Sequence, residues 1–531
     1  MGKNVMKDGG NAADAAVAVS FCLGVVEFQS SGLGGGGFLV HYNKSKGFAT
    51  SIDFRSAAPS LANTNTLNKQ TTLDESPERY IAVPGELKGL HELWKNHGKS
   101  DWKDLIAPSI KLARDGFTVS KDLADAASNF SRRKNVFTPL LNLIRPNGNP
   151  IQEGTTLKRR NLALTLEKIS LEPDVAVLYE DEISKKIIED LPAGSLLGQN
   201  DFQSYTAPEN IANHAYIAVN RIMIGAPLPA SGVIQLLLQN ILRNYNNNKN
   251  SALAYHRIIE SFKFGFSRRN VLGDPENNDI IKSLYNEFQK TPYAYNLKEK
   301  IDDTKTFDLD HYTSDLSIPT DYSDVEKDDK EMSTTHIAII DQHGNAVSLT
   351  TSVGLSFGSR LLLESTGILL NSDMVGFSFR GSEEFFDLPY NPSNLIVGGK
   401  RPLSSMCPTI VTETYDGRPR ASLVVGGAGG SRIITAVSLA IIRHLLFGEE
   451  VCESVNDKRL HHQLVPNKVY VEPGFSKEMI SELEEKGHKF DFNNTLGSEN
   501  KATAVHAVSM THSGSLMAVC DKRLSGKPAG W

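Results

Sequence analysis

The stretch Ser333-Thr-Thr-His-Ile-Ala-Ile-Ile340, with the turn Asp341-Gln-His-Gly-Asn345 and the return Ala346-Val-Ser-Leu-Thr350, carries the clearest fold signal in the chain. Two short segments rich in apolar and β-branched residues, separated by a turn that contains Gly344, predict a β-hairpin. The residues before it, 299–331, include twelve acidic and four basic residues and few large apolar ones. Such a segment has little apolar surface to bury, so we expect an exposed, mobile connector that ends where the hairpin begins.

Thr334 is the first candidate for chemistry. It follows Ser333 at the start of the predicted hairpin. If the chain were cut between these two residues, Thr334 would carry a free α-amine next to its hydroxyl. A Thr hydroxyl activated by its own N-terminal amine is an established catalytic nucleophile. The position alone leaves open the simpler interpretation, in which Thr334 only begins a strand.

Other segments give a coarse outline of helices and strands. The Ala-rich run after Asn11 predicts a helix start. Residues 85–300 are predicted to be mostly helical, because apolar residues recur there at helical spacing. Strands are expected over 38–42, 51–55, 336–340, 346–350 and 421–425, and a helix from the end of the last glycine-rich segment to about residue 447. Helices and strands in two parts, with the acidic segment between them, predict an α/β architecture.

The composition excludes several classes of protein. The chain has 531 residues, of which 40% are hydrophobic and 22% charged, with a net charge of −6. These proportions are those of a soluble globular protein, and the lack of a basic excess argues against nucleic acid as a partner. The longest apolar stretch, 15–26, is shorter than the ~20 residues of a membrane helix. The four cysteines form no CxxC pair, which excludes a zinc knuckle.

Two glycine-rich segments have several interpretations. Residues 32–37 match GxGxxG, but a helix precedes them and a strand follows, which is the reverse of the dinucleotide-binding order. Residues 426–431 lie between a strand and a helix and lack the Lys of a phosphate-binding loop. Their backbone N–H groups suit an oxyanion or a carboxylate, although a tight turn alone would explain the glycines. His461 and His462 are adjacent and point in different directions, which argues against a metal site.

Taken together, these segments resemble the gamma-glutamyltranspeptidase (glutathione hydrolase) family over nearly the whole chain. The segments that carry the resemblance are Gly9-Gly-Asn-Ala12, Ser30-Ser-Gly-Leu-Gly-Gly-Gly-Gly-Phe38, Asp53-Phe-Arg55, Val83-Pro-Gly85, Pro227-Leu-Pro-Ala-Ser-Gly232, Leu272-Gly-Asp-Pro275, Thr334-Thr-His336, Arg401-Pro-Leu-Ser-Ser-Met406 and Gly429-Gly-Ser-Arg432. The resemblance implies the N-terminal-nucleophile hydrolase fold, a four-layer αββα sandwich of two stacked sheets between helix layers.

The resemblance also implies a zymogen that cuts its own chain at Ser333–Thr334. The products would be a helix-rich large subunit, 1–333, ending in the connector 299–333, and a small subunit, 334–531, and the two would stay associated. Relatives are usually extracellular or on the outer face of the plasma membrane. We therefore expect that a signal or anchor and a few dozen residues ahead of Gly9 are missing here. Export would make the sequons at Asn43, Asn129 and Asn493 candidates for glycosylation.

By resemblance, the reaction is γ-glutamyl hydrolysis or acyl transfer without a metal or cofactor. The α-amine of Thr334 takes the proton of its hydroxyl, which attacks the γ-amide of a glutathione-like donor, and Ser352 supports the nucleophile. The N–H groups of Gly429 and Gly430 hold the oxyanion. Water or the amine of an amino-acid or peptide acceptor then releases the acyl group.

The donor would be held by its α-carboxylate and its α-ammonium. Arg55 would bind the carboxylate in bidentate fashion, with Ser404 and Ser405 assisting. Three positions in the amine-binding part depart from the family pattern, and Ala428 replaces a usual Pro. The departures are Gly354 where relatives have Asn, Asp373 where they have Gln or Glu, and Gly376 where they have the Asp that meets the α-ammonium, while Glu383 and Glu384 follow nearby.

These departures keep two alternatives open. The chain could be a family amidase for acyl groups that lack the α-amine, as in glutaryl or cephalosporin acylases. It could also be a catalytically impaired member that folds and binds without turnover.

Overall fold

In the computed structural model, two β-sheets lie face to face and helices cover both outer surfaces. The structure describes residues 1–68, 71–130, 137–172, 174–245, 251–276, 278–316, 332–379, 388–415, 417–492, 496 and 503–531. The αββα sandwich that the family resemblance implied is confirmed.

The strands are β1 (Gly36–Asn43), β2 (Phe48–Phe54), β3 (Phe117–Thr118), β4 (Thr156–Leu157), β5 (Glu209–Ile211), β6 (Asn213–Ala218), β7 (Arg221–Gly225), β8 (Met332–Ile340), β9 (Ala346–Leu355), β10 (Thr409–Tyr415), β11 (Arg418–Ala428), β12 (Leu460–His461), β13 (Val469–Val471), β14 (Phe490–Asp491), β15 (Ala504–Met510) and β16 (Leu516–Val519). The first large sheet has the order β5-β2-β1-β9-β8, and the second has the order β16-β15-β11-β10-β7-β6. Neighbouring strands in both are antiparallel.

The helices are α1 (Gly2–Lys7), α2 (Ala12–Val26), α3 (Glu86–His97), α4 (Trp102–Asp115), α5 (Lys121–Phe130), α6 (Thr138–Ile144), α7 (Arg160–Leu171), α8 (Ala176–Tyr179), α9 (Glu182–Asp190), α10 (Gln199–Ser204), α11 (Gly232–Leu242), α12 (Ala252–Arg269), α13 (Asp279–Phe288), α14 (Thr291–Lys298), α15 (Leu309–Thr313), α16 (Ile433–Leu445), α17 (Val451–Asn456) and α18 (Lys477–Glu485). In the described part of the chain, none of them has the length and apolar character needed to cross a membrane.

Side chains alternate between the two faces of each strand, which separates the core between the sheets from the cores under the helices. On β1, Phe38 and Val40 pack between the sheets, whereas Leu39 packs on the opposite face under α2 and α3. The second sheet does the same, because Val424 faces the first sheet and Val425 packs under α16. The central strands of both sheets are therefore buried on both faces, which explains why they contain few charged residues.

Residues 85–300 are mostly helical, as expected, although the short strands β5, β6 and β7 lie among the helices. These strands are short and half-exposed, so they lack the apolar alternation that identifies a strand. The expectation of an exposed, mobile connector is wrong for its first part. Residues 299–316 are packed rather than mobile, since Tyr312 is 1% exposed and Asp315 pairs with the buried Arg268 at 2.7 Å. The remainder of the expected connector, 317–331, lies outside the described residues.

The segments on either side of Thr334 are interwoven. The first large sheet combines β1, β2 and β5 with β8 and β9, and the second combines β6 and β7 with four strands from after residue 334. A cut at residue 333 would therefore leave both sheets shared between the two fragments.

A buried polar network also joins the two halves. Nδ1 of His256, on α12, lies 2.8 Å from Nε2 of His488, and both rings are buried. Glu260, one turn further along α12, accepts a hydrogen bond from Tyr312 and lies 3.2 Å from the Lys263 ammonium. The Glu260 carboxylate and the two imidazole rings thus have partners within the protein.

Candidate active site

The Ser333–Thr334 peptide bond lies in a bulge of β8. Ser333 is opposite Gly354 on β9 and Thr335 is opposite Thr351, so the pairing shifts at Thr334. Bulges re-aim side chains and are common beside active sites. Ser333 is buried and Thr334 is half-buried. The nucleophile predicted from the sequence is therefore on the central sheet and partly accessible.

The carbonyl of this peptide bond is held by a hydroxyl. Ser352 on β9 donates a hydrogen bond from Oγ to the Ser333 carbonyl oxygen, and the Gly354 N–H donates to the same Oγ at 2.8 Å. The Ser333 side chain is fixed as well, because its Oγ donates to the Gln29 carbonyl at 2.5 Å. Ser352 thus lies where negative charge would develop if the Ser333 carbonyl were attacked.

The glycine-rich turn after β11 packs against β8. Gly429 has φ +132° and Gly430 has φ +59°, and a short 3-10 turn, Gly430–Arg432, leads into α16. A Cβ on Gly429 would lie 2.8 Å from Thr503 Oγ1, so both the backbone angle and the space require glycine there. The first N–H groups of a helix have no intrahelical partner, which leaves this turn able to bind an oxyanion.

Three buried side chains anchor the turn. Ser431 donates from Oγ to Gln463 Oε1 at 2.8 Å, and His461 Nε2 lies 2.9 Å from the same oxygen. Burial lowers the pKa of His461 to about 3, so the ring is neutral and donates to Gln463 through Nε2–H. The His461 ring therefore helps to hold Gln463 in place beside the turn.

Arg55 and Asp373 form a buried ion pair. Arg55 follows β2, Asp373 begins the 3-10 turn Asp373–Gly376, and Arg55 Nη1 is 2.9 Å from Asp373 Oδ1. Arg55 is 6% exposed and Asp373 is not exposed at all. Burial raises the pKa of Asp373 and the Arg55 guanidinium opposes this rise. The predicted carboxylate-binding arginine is thus already neutralised by one of the three departures from the family pattern.

A second ion pair supports Arg55 from behind. The Arg401 guanidinium lies 2.8 Å from Asp53 Oδ2, and Asp53 Oδ1 accepts the Arg55 backbone N–H at 2.9 Å. The Tyr205 hydroxyl donates to the Arg55 carbonyl at 2.9 Å. Burial raises the pKa of Asp53, and the Arg401 charge counteracts it. These contacts fix the main chain from which the Arg55 side chain projects.

The two glycine departures border this ion pair. A Cβ on Gly376 would lie 3.1 Å from Arg55 Nη2 and 3.0 Å from Pro402 Cβ. A Cβ on Gly354 would lie 2.6 Å from Ser372 Oγ and 3.2 Å from Asp373 Oδ1, at φ +94°. Position 354 is thus the link between the Ser352 hydroxyl and the charge pair.

The segment that contains Ser404 and Ser405 follows Pro402 directly. The Ser404 hydroxyl accepts the Met406 N–H at 3.1 Å, and the Ser404 carbonyl accepts the Ser231 hydroxyl at 2.6 Å. Both serines are more than nine-tenths buried. Ser404 therefore caps its own loop, in the segment that follows Pro402 and lies beside Gly376. Glu383 and Glu384 lie outside the described residues.

Comparison with known proteins identifies the family. The family model for gamma-glutamyltranspeptidase matches residues 1–531. The chain belongs to the gamma-glutamyltranspeptidase family. Glutathione hydrolase proenzyme 1 of Schizosaccharomyces pombe is 34% identical over 100% of this chain and 82% of its own length. The Escherichia coli K12 glutathione hydrolase proenzyme is 33% identical over 94% of this chain and 85% of its own length, and Scoloptoxin SSD14 of Scolopendra dehaani is 32% identical over 100% and 90%.

Solved structures support the same fold. The cephalosporin acylase of Bacillus halodurans superposes with a TM-score of 0.82 over 100% of this chain and 93% of that chain, at 21% identity. The gamma-glutamyltranspeptidase of Helicobacter pylori gives a TM-score of 0.53 at 26% identity, over 57% of this chain and 88% of that chain.

Several residues of this gamma-glutamyltranspeptidase site were not identified from the sequence. Gln463 holds Ser431, and the Asp53–Arg401 ion pair supports Arg55. The spacing of these residues in the sequence does not indicate either contact. Asp53 lies two residues before Arg55, in a segment that carried the resemblance, so the sequence indicated its neighbourhood but not its role. A buried carboxylate next to a buried arginine is visible only once the chain is folded.

Proposed function

We propose that this chain is a γ-glutamyl hydrolase and transferase that first cuts itself at Ser333–Thr334. The observation that carries the proposal is the pairing of the Ser352 hydroxyl with the Ser333 carbonyl at a bulge. In the first step, Thr334 Oγ attacks the Ser333 carbonyl carbon, the C–N bond breaks and the Thr334 nitrogen takes the proton. Water hydrolyses the resulting ester, which leaves a carboxylate on Ser333 and a free α-amine on Thr334.

The same hydroxyl then attacks the donor. The α-amine of Thr334, with a pKa near ~7.7–8.0, is unprotonated often enough at neutral pH to take the proton of Oγ. Charge on the γ-carbonyl oxygen would be held by the N–H groups of Gly429 and Gly430, and each such donor typically contributes ~2.7–4 kcal/mol. The γ-glutamyl ester on Thr334 is released to water or to the amine of an amino acid or peptide.

Recognition of the donor falls to Arg55 and Asp373. They present a cation and an anion 2.9 Å apart, which is the complement of an α-carboxylate beside an α-ammonium. The zwitterionic head of a γ-glutamyl group would exchange the ion pair within the protein for two with the substrate. We assign Asp373 the role that relatives give to a carboxylate at position 376.

The two fragments, 1–333 and 334–531, would stay associated because both sheets contain strands from each. By analogy with relatives, the proposal includes an extracellular location or one on the outer face of the plasma membrane.

Two measurements test the proposal. Purified wild-type chain should run as two bands, whereas Thr334→Ala should remain one band near 58.2 kDa and should not hydrolyse a γ-glutamyl anilide. Cutting of the Thr334→Ala chain at the same bond would exclude Thr334 as the nucleophile. Two bands without hydrolysis of either a γ-glutamyl or a glutaryl anilide would instead support a catalytically impaired family member.

The second candidate is an acylase for donors without an α-amine. Gly376 and Gly354 favour it, because neither offers a side chain to a substrate ammonium. Parallel assays with γ-glutamyl and glutaryl anilides separate the two, since a preference for the glutaryl compound would replace the leading proposal.

A further inference from the structure

A small cavity lies beside the start of the glycine-rich segment 32–37, with Gly32 and Leu33 in its lining. Its volume is about 20 Å³, enough for about one water molecule, and its lining includes Ser20, Ser31, Glu86 and Arg159. Within the described part of the chain, Ser20 Oγ, Ser31 Oγ, Glu86 Oε1 and Arg159 Nε are buried without a hydrogen-bond partner. Buried polar atoms of this kind usually bond to internal water.

Glu86 connects this cavity to the strands that carry the chemistry. Its other oxygen, Oε2, accepts a hydrogen bond from the Thr351 hydroxyl. Its backbone N–H donates to the Gly35 carbonyl at 3.0 Å, and the preceding Gly85 N–H donates to the same oxygen at 2.9 Å. Glu86 thus bonds to both β9 and the loop that begins β1.

These contacts lie next to the cleavage site. Thr351 precedes Ser352 on β9 and is opposite Thr335 of β8, and Ser352 is itself opposite Gly36 on β1. A movement of Thr351 relative to β8 would therefore move the Ser352 hydroxyl away from the Ser333 carbonyl.

Among the described residues, no cationic group forms an ion pair with Glu86. Arg159, facing from the start of α7, donates to the carbonyls of Gly24 at 2.7 Å and Gly367 at 3.0 Å. Tyr179, facing from α8, donates to the Pro84 carbonyl at 3.1 Å. Burial raises the pKa of Glu86 to about 8, while the bond from Thr351 opposes the rise. The raised pKa favours the protonated, neutral form of Glu86 at neutral pH.

We propose that Glu86 is a positioning residue: its carboxyl group holds Thr351 and its backbone N–H holds the Gly35 loop, so that Ser352 stays on the Ser333 carbonyl. The inference rests on the proposed self-cleavage. Ionised Glu86 would be a buried carboxylate without a cation, and such a charge is stabilised only by movement or by entry of water. The strands that it joins would lose their alignment.

The test uses Glu86→Gln and Glu86→Leu in the full chain. Gln keeps a polar side chain of the same size but does not titrate, so cutting should remain within about threefold of wild type at pH 7. Leu removes the side-chain hydrogen bond with Thr351 and keeps the backbone bond to Gly35, so cutting should slow at least tenfold although circular dichroism stays unchanged. Thr351→Val, which removes only the partner hydroxyl, should slow cutting in the same way if Glu86→Leu does not fold.

The pH profile separates positioning from general support of the fold. The ratio of the wild-type to the Glu86→Gln self-cleavage rate cancels the titration of the groups that the two chains share. It should be constant below about pH 7 and fall about tenfold by pH 9, because roughly one-tenth of a group with a pKa of about 8 is then protonated. A flat ratio, or normal cutting by folded Glu86→Leu or Thr351→Val, overturns the inference. Failure of wild-type cutting would instead refute the proposed function.

Discussion

The sharpest prediction concerns Asp373, because it distinguishes a γ-glutamyl site from an acylase site. In Asp373→Asn the side chain keeps its shape but its charge is lost. The α-ammonium of a γ-glutamyl donor then loses its ionic partner. Arg55, 2.9 Å away, loses the carboxylate that competes with the α-carboxylate of the donor.

The expected magnitude follows from the charged hydrogen bond that is removed. Such a bond contributes ~1.5–3 kcal/mol, and ~1.4 kcal/mol corresponds to a tenfold change in affinity. We therefore expect kcat/KM for a γ-glutamyl anilide to fall roughly ten- to hundredfold in Asp373→Asn. Hydrolysis of a glutaryl anilide, which has no amine, should be unchanged or faster.

The assay compares both anilides in wild type, Asp373→Asn and a control. Asp315→Asn is a matched control because it neutralises another carboxylate paired with a buried arginine, Arg268, in a different part of the fold. It should leave the ratio of the two activities unchanged. Self-cleavage of all three chains should be complete on a gel. An equal loss on both substrates in Asp373→Asn would refute the role in ammonium binding and indicate a general effect on the nucleophile.

Three further predictions use other parts of the structure. Ser352→Ala should slow self-cleavage about hundredfold, the usual effect of removing one oxyanion donor, and a gel time course at wild-type speed would contradict this. Gly376→Asp should place a carboxylate against Arg55 and crowd it, so KM for both anilides should rise, whereas a gain for the γ-glutamyl anilide alone would show that position 376 faces the ammonium. Burial lowers the pKa of His256 and His488, so the folded state resists protonation and stability should be full above about pH 6.5 and decline below it. The melting temperature of His488→Asn should change less between pH 7 and pH 5 than that of wild type, and equal changes would exclude this pair as the cause.

The hairpin of β8 and β9 could be predicted because its signal is local. Two apolar segments flank the turn at Gly344, and the turn needs no partner elsewhere in the chain to be recognised. The helix after Asn11 is similar, since Asn11 caps the helix and Asp14 completes the capping box within one turn. Interactions within a few residues of each element are therefore enough to predict this hairpin and this helix.

The parts that could not be predicted depend on long-range contacts. Residues 299–316 are rich in acidic residues, yet Tyr312 is buried because its hydroxyl donates to Glu260 on α12. The ion pair of Arg55 with Asp373 joins two segments that are far apart in the sequence. A composition argument treats each segment alone, so it cannot foresee that another part of the chain supplies the partner.

The departures from the family pattern are coupled by the geometry of β9. Gly354 donates its N–H to the Ser352 hydroxyl, and its φ of +94° disfavours any side chain there. A Cβ at this position would also press on Ser372 Oγ and approach Asp373 Oδ1. An Asn at 354 would therefore displace the carboxylate that holds Arg55, and with it the charge pair. Gly354 and Asp373 are best understood as one change of site shape, in which the carboxylate at 373 comes close to Arg55 because the residue at 354 has no side chain.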